Sequence, residues 1–147
     1  MRSMTMSKTD TTTHVGVRPR ALNIALWVLQ VLLAAVFLVH GVFMVAPPAE
    51  MVAMINAQLG VGLRLFIGVA EVLAAAGLIL PGVTRILPWL TAAAAAGLMI
   101  VMASATVLHV FRGEVGSAIT VVVLLVLVTV VAYMRWKVQP IAPRKRA

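Results

Sequence analysis

The chain has 147 residues, 63% of them hydrophobic and 11% charged, with a mean hydropathy of +1.09. A soluble domain of this length does not carry so much apolar surface, so the expected class is an all-α integral membrane protein with one compact domain. The formal charge of +8 does not indicate nucleic acid, because the basic residues collect at the chain ends and form no binding face. Cysteine is absent, which excludes disulfides, cysteine nucleophiles and cysteine-bound iron–sulfur clusters on this chain.

Residues 1–20 are polar and Thr-rich, without apolar periodicity. They read as a disordered tail, with His14 solvated. Four apolar spans follow, at about 21–45, 61–80, 88–111 and 115–134. Each approaches or exceeds the ~20 residues needed to cross the hydrocarbon core as a helix. The first is longer than a signal-peptide core, so it is expected to be retained. The segment APPAEMVAMINAQLG between the first two spans is expected to lie at the interface, with Met51, Val52, Met54 and Ile55 dipping into headgroups. Pro81-Gly82 is expected to end the second span, and Pro88 to open the third. Residues 138–147 form a basic tail.

The lysines and arginines set the orientation. Arg2, Lys8, Arg18, Arg20, Arg85, Arg135, Lys137, Arg144, Lys145 and Arg146 fall on one side, and only Arg64 and Arg112 on the other. The positive-inside rule then makes both termini cytoplasmic, in the inner membrane. Trp27, Trp89, Tyr133 and Trp136 fall near the same side, as an interfacial aromatic belt requires. Ala- and Gly-rich stretches in the second and third spans suit close helix packing. The likeness of AAAGLIL to AAAGLMI also admits an inverted repeat.

Glu71 lies in the middle of the run RLFIGVAEVLAAAGLILP. A charge at that depth is costly and needs a partner or a task. At helical spacing its face carries Arg64, Ile67, Gly68, Ala74, Ala75 and Leu78. This thin face is expected to point into the bundle, while Val69, Val72, Leu73 and Ile79 face lipid. Counting ~1.5 Å per residue puts Glu71 roughly 15 Å from the outer end, near the depth of Gln30 on the first span. Gln30 is therefore the expected hydrogen-bond partner. Arg64 lies two turns above Glu71, too far for direct pairing without a bent side chain.

His40, Arg64, His109, Arg112 and Glu114 gather near the outer end, and Thr106 shares the face of His109. With Glu71 they are expected to line an outward-opening cavity, polar at its mouth and apolar at its base. Each also has a structural reading. Glu71 and Gln30 would fix helix packing, the histidines would bond loop carbonyls, and the arginines would snorkel. No local ligand motif supports haem or a metal site, and no phosphate loop, nucleophile elbow or carboxylate pair appears.

The stretch RLFIGVAEVLAAAGLILPGVTRILPWLTAAAAAGLMIVMASATVLHVFRGE resembles the core of the DoxX-like family of small membrane proteins. The matching residues are Arg64, Gly68, Glu71, Gly77, Pro81, Gly97, His109, Gly113 and Glu114, and the likeness spans about 21–137. One departure is Gly41-Val42-Phe43-Met44, where the family pattern Gly-x-x-Lys carries lysine; Arg64 is a candidate to supply that charge. The resemblance implies a four-helix bundle. The family takes its name from a subunit of an archaeal thiosulfate:quinone oxidoreductase, and some relatives belong to membrane complexes that handle oxidative and thiol stress.

The expected function is binding of a small amphipathic, quinone-like molecule around Glu71 in support of a membrane redox process, with a quinone as candidate cofactor. A redox enzyme, a second copy of the chain and the lipid bilayer are the expected partners. One alternative is a non-catalytic membrane anchor or accessory subunit; the other is a small transporter acting as an oligomer. The chain is not expected to be an enzyme on its own.

Overall fold

The computed structural model describes residues 19–144. The readings for 1–18 and 145–147, including the disordered tail and His14, lie outside the described residues. The chain forms α1 (Pro19–Val45), α2 (Ala49–Leu59), α3 (Val61–Thr84), α4 (Trp89–Phe111) and α5 (Val115–Tyr133), followed by a π-helical turn, Met134–Val138. Four segments are long and apolar enough to cross a membrane: Arg20–Val45, Val61–Thr84, Trp89–Phe111 and Val115–Val138. They run up and down around a ring in the order α1, α3, α4, α5, and a smaller α1–α5 interface closes it. Leu33, Phe37, Leu78, Leu98, Val128 and Val131 fill its centre.

Glycines set how closely the helices approach. A Cβ on Gly41 would lie 2.8 Å from the Gly68 carbonyl oxygen, and a Cβ on Gly68 would lie 2.8 Å from the Gly41 carbonyl oxygen. The backbones of α1 and α3 therefore touch at this crossing. Lower down, a Cβ on Gly77 would meet the Ala94 Cβ at 2.7 Å, so α3 and α4 also approach through a missing side chain. In lipid, where no hydrophobic force pulls helices together, such close contact is a main source of association.

Two boundaries differ from expectation. Pro81-Gly82 does not end its helix, which continues to Thr84 and stops at Arg85 in the left-handed conformation, φ 57°. Pro81 and Gly82 are buried, and Gly82 lies against the Trp27 ring. That packing holds the last turn in place, and Thr84 Oγ1 donates to the Leu80 carbonyl at 2.7 Å. A proline lacks only one donor, which a packed membrane helix tolerates. On α2, Ile55 is buried against the protein and does not reach into headgroups; Met51 and Val52 are half-buried, and Met54 is exposed.

Candidate functional site

The buried face of α3 carries Arg64, Gly68, Glu71, Ala75, Leu78, Pro81 and Gly82, while Val69 and Leu73 point outward. Glu71 is thus turned into the bundle, with 1% of its side chain exposed. Its partner is His40: Nδ1 lies 2.5 Å from Glu71 Oε2. The glycine crossing explains the pairing. With Gly41 against Gly68, the residue before Gly41 on α1 and the turn after Gly68 on α3 bring the imidazole and carboxylate together.

Gln30 is not the partner of Glu71. Its Nε2 donates to the Leu78 carbonyl at 2.7 Å, and its Oε1 accepts from Arg135 Nε at 2.5 Å. Leu78 is two turns beyond Glu71, about 10 Å along α3. Counting depth from span ends misses this offset, because the register of the two helices is set at the glycine crossing.

The pair costs little as a pair and much if split. A carboxylate at this depth would be strongly destabilised alone, whereas the imidazole supplies a proton or a positive charge at hydrogen-bond distance. One proton serves the bond. Either the imidazolium Nδ1–H donates to the carboxylate, or a protonated Glu71 donates to Nδ1. Exchange between these states needs no movement of heavy atoms. His40 is half exposed, 51% for its side chain, and among the described residues no protein group bonds its Nε2. The ring forms part of a shallow apolar groove of about 520 Å³ with Ala35, Val36, Val39 and Phe43. The site therefore has a buried acid, an imidazole in front of it, and an apolar groove in front of the imidazole.

The other candidate residues at this end of the bundle form separate groups. Arg64 is buried; its Nη1 donates to the carbonyls of Met44 and, at 3.2 Å, Val45, and its Nε donates to Asn56 Oδ1 at 2.8 Å. It caps the carbonyl end of α1, where orphan acceptors and the helix dipole favour a cation. Its guanidinium also reaches the backbone of Met44, the position at which the family pattern carries lysine. His109 Nδ1 lies 2.5 Å from Glu114 Oε2 across the α4–α5 connection. Thr106 Oγ1 donates to the Met102 carbonyl of its own helix at 2.8 Å. Arg112 donates to the Gln58 carbonyl at 2.6 Å and ties the end of α4 to the end of α2. Among the described residues no three His, Asp or Glu side chains gather as a metal site requires.

At the opposite end lies a side chain that sequence reasoning counted only as an interfacial charge. Arg135 is 5% exposed. Its Nε bonds Gln30, its Nη1 bonds Asn23 Oδ1 at 2.8 Å and the Gln139 carbonyl at 3.2 Å, and its guanidinium lies 5.6 Å from the centre of the Trp27 ring. The spacing held a signal for this burial. Arg135 follows Val128 and Val131 at seven and four residues, on the inward stripe of α5. Trp27, expected in the aromatic belt, is half-buried between Arg135 and Gly82, whereas Trp89, Tyr133 and Trp136 are exposed.

No curated protein and no solved structure matches the chain. The DoxX-like family matches over residues 28–131, which takes in α1 from Val28, the His40–Glu71 pair, Arg64, the His109–Glu114 pair and most of α5. The match covers well over half of the chain, and the chain belongs to the DoxX-like family of membrane proteins.

Proposed function

We propose that this chain binds a small amphipathic, quinone-like molecule in the groove of α1, with His40 as hydrogen-bond donor and Glu71 as the proton store behind it. The observation that carries this reading is the 2.5 Å contact between a fully buried carboxylate and an imidazole that borders an apolar groove. A quinone headgroup in that groove would present a carbonyl oxygen to His40 Nε2–H. On reduction of the bound molecule by a partner, that oxygen takes up a proton from Nε2, and Glu71 returns one to the ring through Nδ1. The apolar tail would follow Val36 and Val39 into lipid. Arg64, His109 and Glu114 hold the outer connections in place around this site. The molecule sits in the inner membrane with both termini cytoplasmic, and it serves a membrane redox process alongside a redox enzyme.

A photoreactive quinone analogue incubated with the protein in nanodiscs tests this directly. Label is expected on residues 35–43, with loss of labelling when Val39→Trp fills the groove. Label spread evenly over the lipid-facing helices, unchanged by Val39→Trp, overturns the reading.

A second reading, association with a partner helix or a second copy, is supported by α4. Its outward face exposes Ala96, Gly97, Ala103 and Ser104, and a Cβ on Gly97 would meet nothing within 4 Å. Small residues on an outward face admit close helix approach. Gly97→Leu should leave folding intact and shift any oligomer to monomer on a detergent gradient; an unchanged profile removes this surface.

A further inference from the structure

The end of the bundle opposite His40 holds a cavity of about 390 Å³. Three arginines line it, Arg20, Arg85 and Arg135, together with Trp27, Gly82 and Ile141, and among the described residues no carboxylate lines it. The chain itself builds one wall. Past the π-helical turn it doubles back, and the Arg144 amide donates to the Arg85 carbonyl at 3.1 Å. This seats Ile141 beside Gly82.

Arg135 makes the cavity more than a basic rim. It is a nine-tenths buried cation whose hydrogen-bond partners, Gln30, Asn23 and the Gln139 carbonyl, are all neutral. Its Nη2 is buried without a hydrogen-bond partner among the described residues. The described carboxylates, Glu50, Glu71 and Glu114, belong to the other half of the bundle or to its depth. A buried guanidinium normally needs a countercharge, since desolvation is otherwise uncompensated. Nε and Nη1 of Arg135 are taken by neutral groups, and Arg20 from α1 and Arg85 from the α3–α4 turn line the same cavity. A tetrahedral oxyanion meets all of these requirements, and phosphate oxygens are favoured arginine ligands. Trp27 and Ile141 add an apolar side suited to a group that is not purely ionic.

We infer that this cavity is a binding site for a phosphate group, carried either by an anionic phospholipid headgroup or by a soluble phosphate compound. Arg20 and Arg85 at the rim bind the phosphate oxygens, and Arg135 supplies the buried charge beneath them. General attraction of basic residues to an anionic surface is a different effect, and it does not depend on which arginine is removed. Lys137 tests that difference, because it is exposed at the same end and does not line the cavity.

The experiment compares wild type, R20Q/R85Q and K137Q in detergent. Native mass spectrometry reads retained phosphatidylglycerol against phosphatidylcholine, and thermal unfolding is followed with either lipid or with inorganic phosphate. The expected result is selective retention of phosphatidylglycerol by wild type and K137Q. R20Q/R85Q is expected to weaken it about tenfold. A saturable rise in Tm with inorganic phosphate that competes with the lipid assigns the site to soluble phosphates; a rise with the lipid alone assigns it to the headgroup. R20Q/R85Q keeps Arg135 in place and so retains the fold. Equal binding of the two lipids together with no response to phosphate overturns the inference, as does equal loss in K137Q and R20Q/R85Q.

Discussion

The two ends of the bundle handle buried charge in opposite ways. Near the α1–α2 and α4–α5 connections, Glu71 is paired with His40 at 2.5 Å, and Arg64 spends itself on the carbonyls that close α1. At the other end, Arg135 is held by neutral side chains and a backbone carbonyl, beside a cavity with two more arginines. The first arrangement is electrically complete and mobile only in its proton. The second has no countercharge among the described residues. A self-sufficient acid–imidazole pair beside an apolar groove suits proton traffic with a neutral guest. An uncompensated cation suits an anionic one. Gln30 separates the two, because its bonds to Leu78 and Arg135 commit it to the second group.

The largest expected effect comes from splitting the first pair. His40→Ala leaves Glu71 buried without its partner and should cost about 3–5 kcal/mol of stability, read by thermal or chemical unfolding in detergent. Adding Glu71→Gln to that variant removes the charge and should restore a large part of the loss. If the double variant is no more stable than His40→Ala, the two side chains are not coupled. Next in size is removal of the Arg64 cap. Arg64→Gln keeps a donor and loses the charge and the fork, so about 1.5–3 kcal/mol is expected, with faster amide exchange in the last turn of α1 as its signature. The glycine crossing ranks alongside it. Gly68→Ala should cost about 1–3 kcal/mol, because its Cβ would meet the Gly41 carbonyl oxygen at 2.8 Å. Gly97→Ala is the small-effect control: it faces open space on α4 and should lie within about 0.5 kcal/mol of wild type. Equal costs at Gly68 and Gly97 would mean that the crossing does not set the site.

Much of this architecture is legible in the residues. The four spans and the inward turn of Glu71 follow from apolar length and helical spacing, whereas the segment between the first two spans reads only as interfacial and is a helix in the structure. The partner of Glu71 does not follow, because it depends on the register of α1 against α3. That register is set where two glycine backbones meet, and depth counted from span ends is blind to it. Pro81 misleads for a related reason: its local preference is to stop a helix, but packing of Gly82 on Trp27 carries α3 one turn further. Arg135 hides behind its residue type. A basic residue after an apolar span reads as an interfacial charge, and only its place on the stripe of Val128 and Val131 betrays that it points inward. Arg64 shows the reverse, since its position two turns from Glu71 correctly separates it from that carboxylate.

The most direct measurement is titration of decylubiquinone into nanodiscs containing wild type or His40→Gln, with folding of both checked by thermal unfolding. Glutamine can still bond Glu71 but cannot pass a proton or present the same Nε2–H to the groove. Saturable binding to wild type, weakened about tenfold or more in His40→Gln at similar Tm, is the predicted result. Equal affinity for the two proteins, or no saturable binding to wild type, would contradict a ligand-facing role for the His40–Glu71 pair.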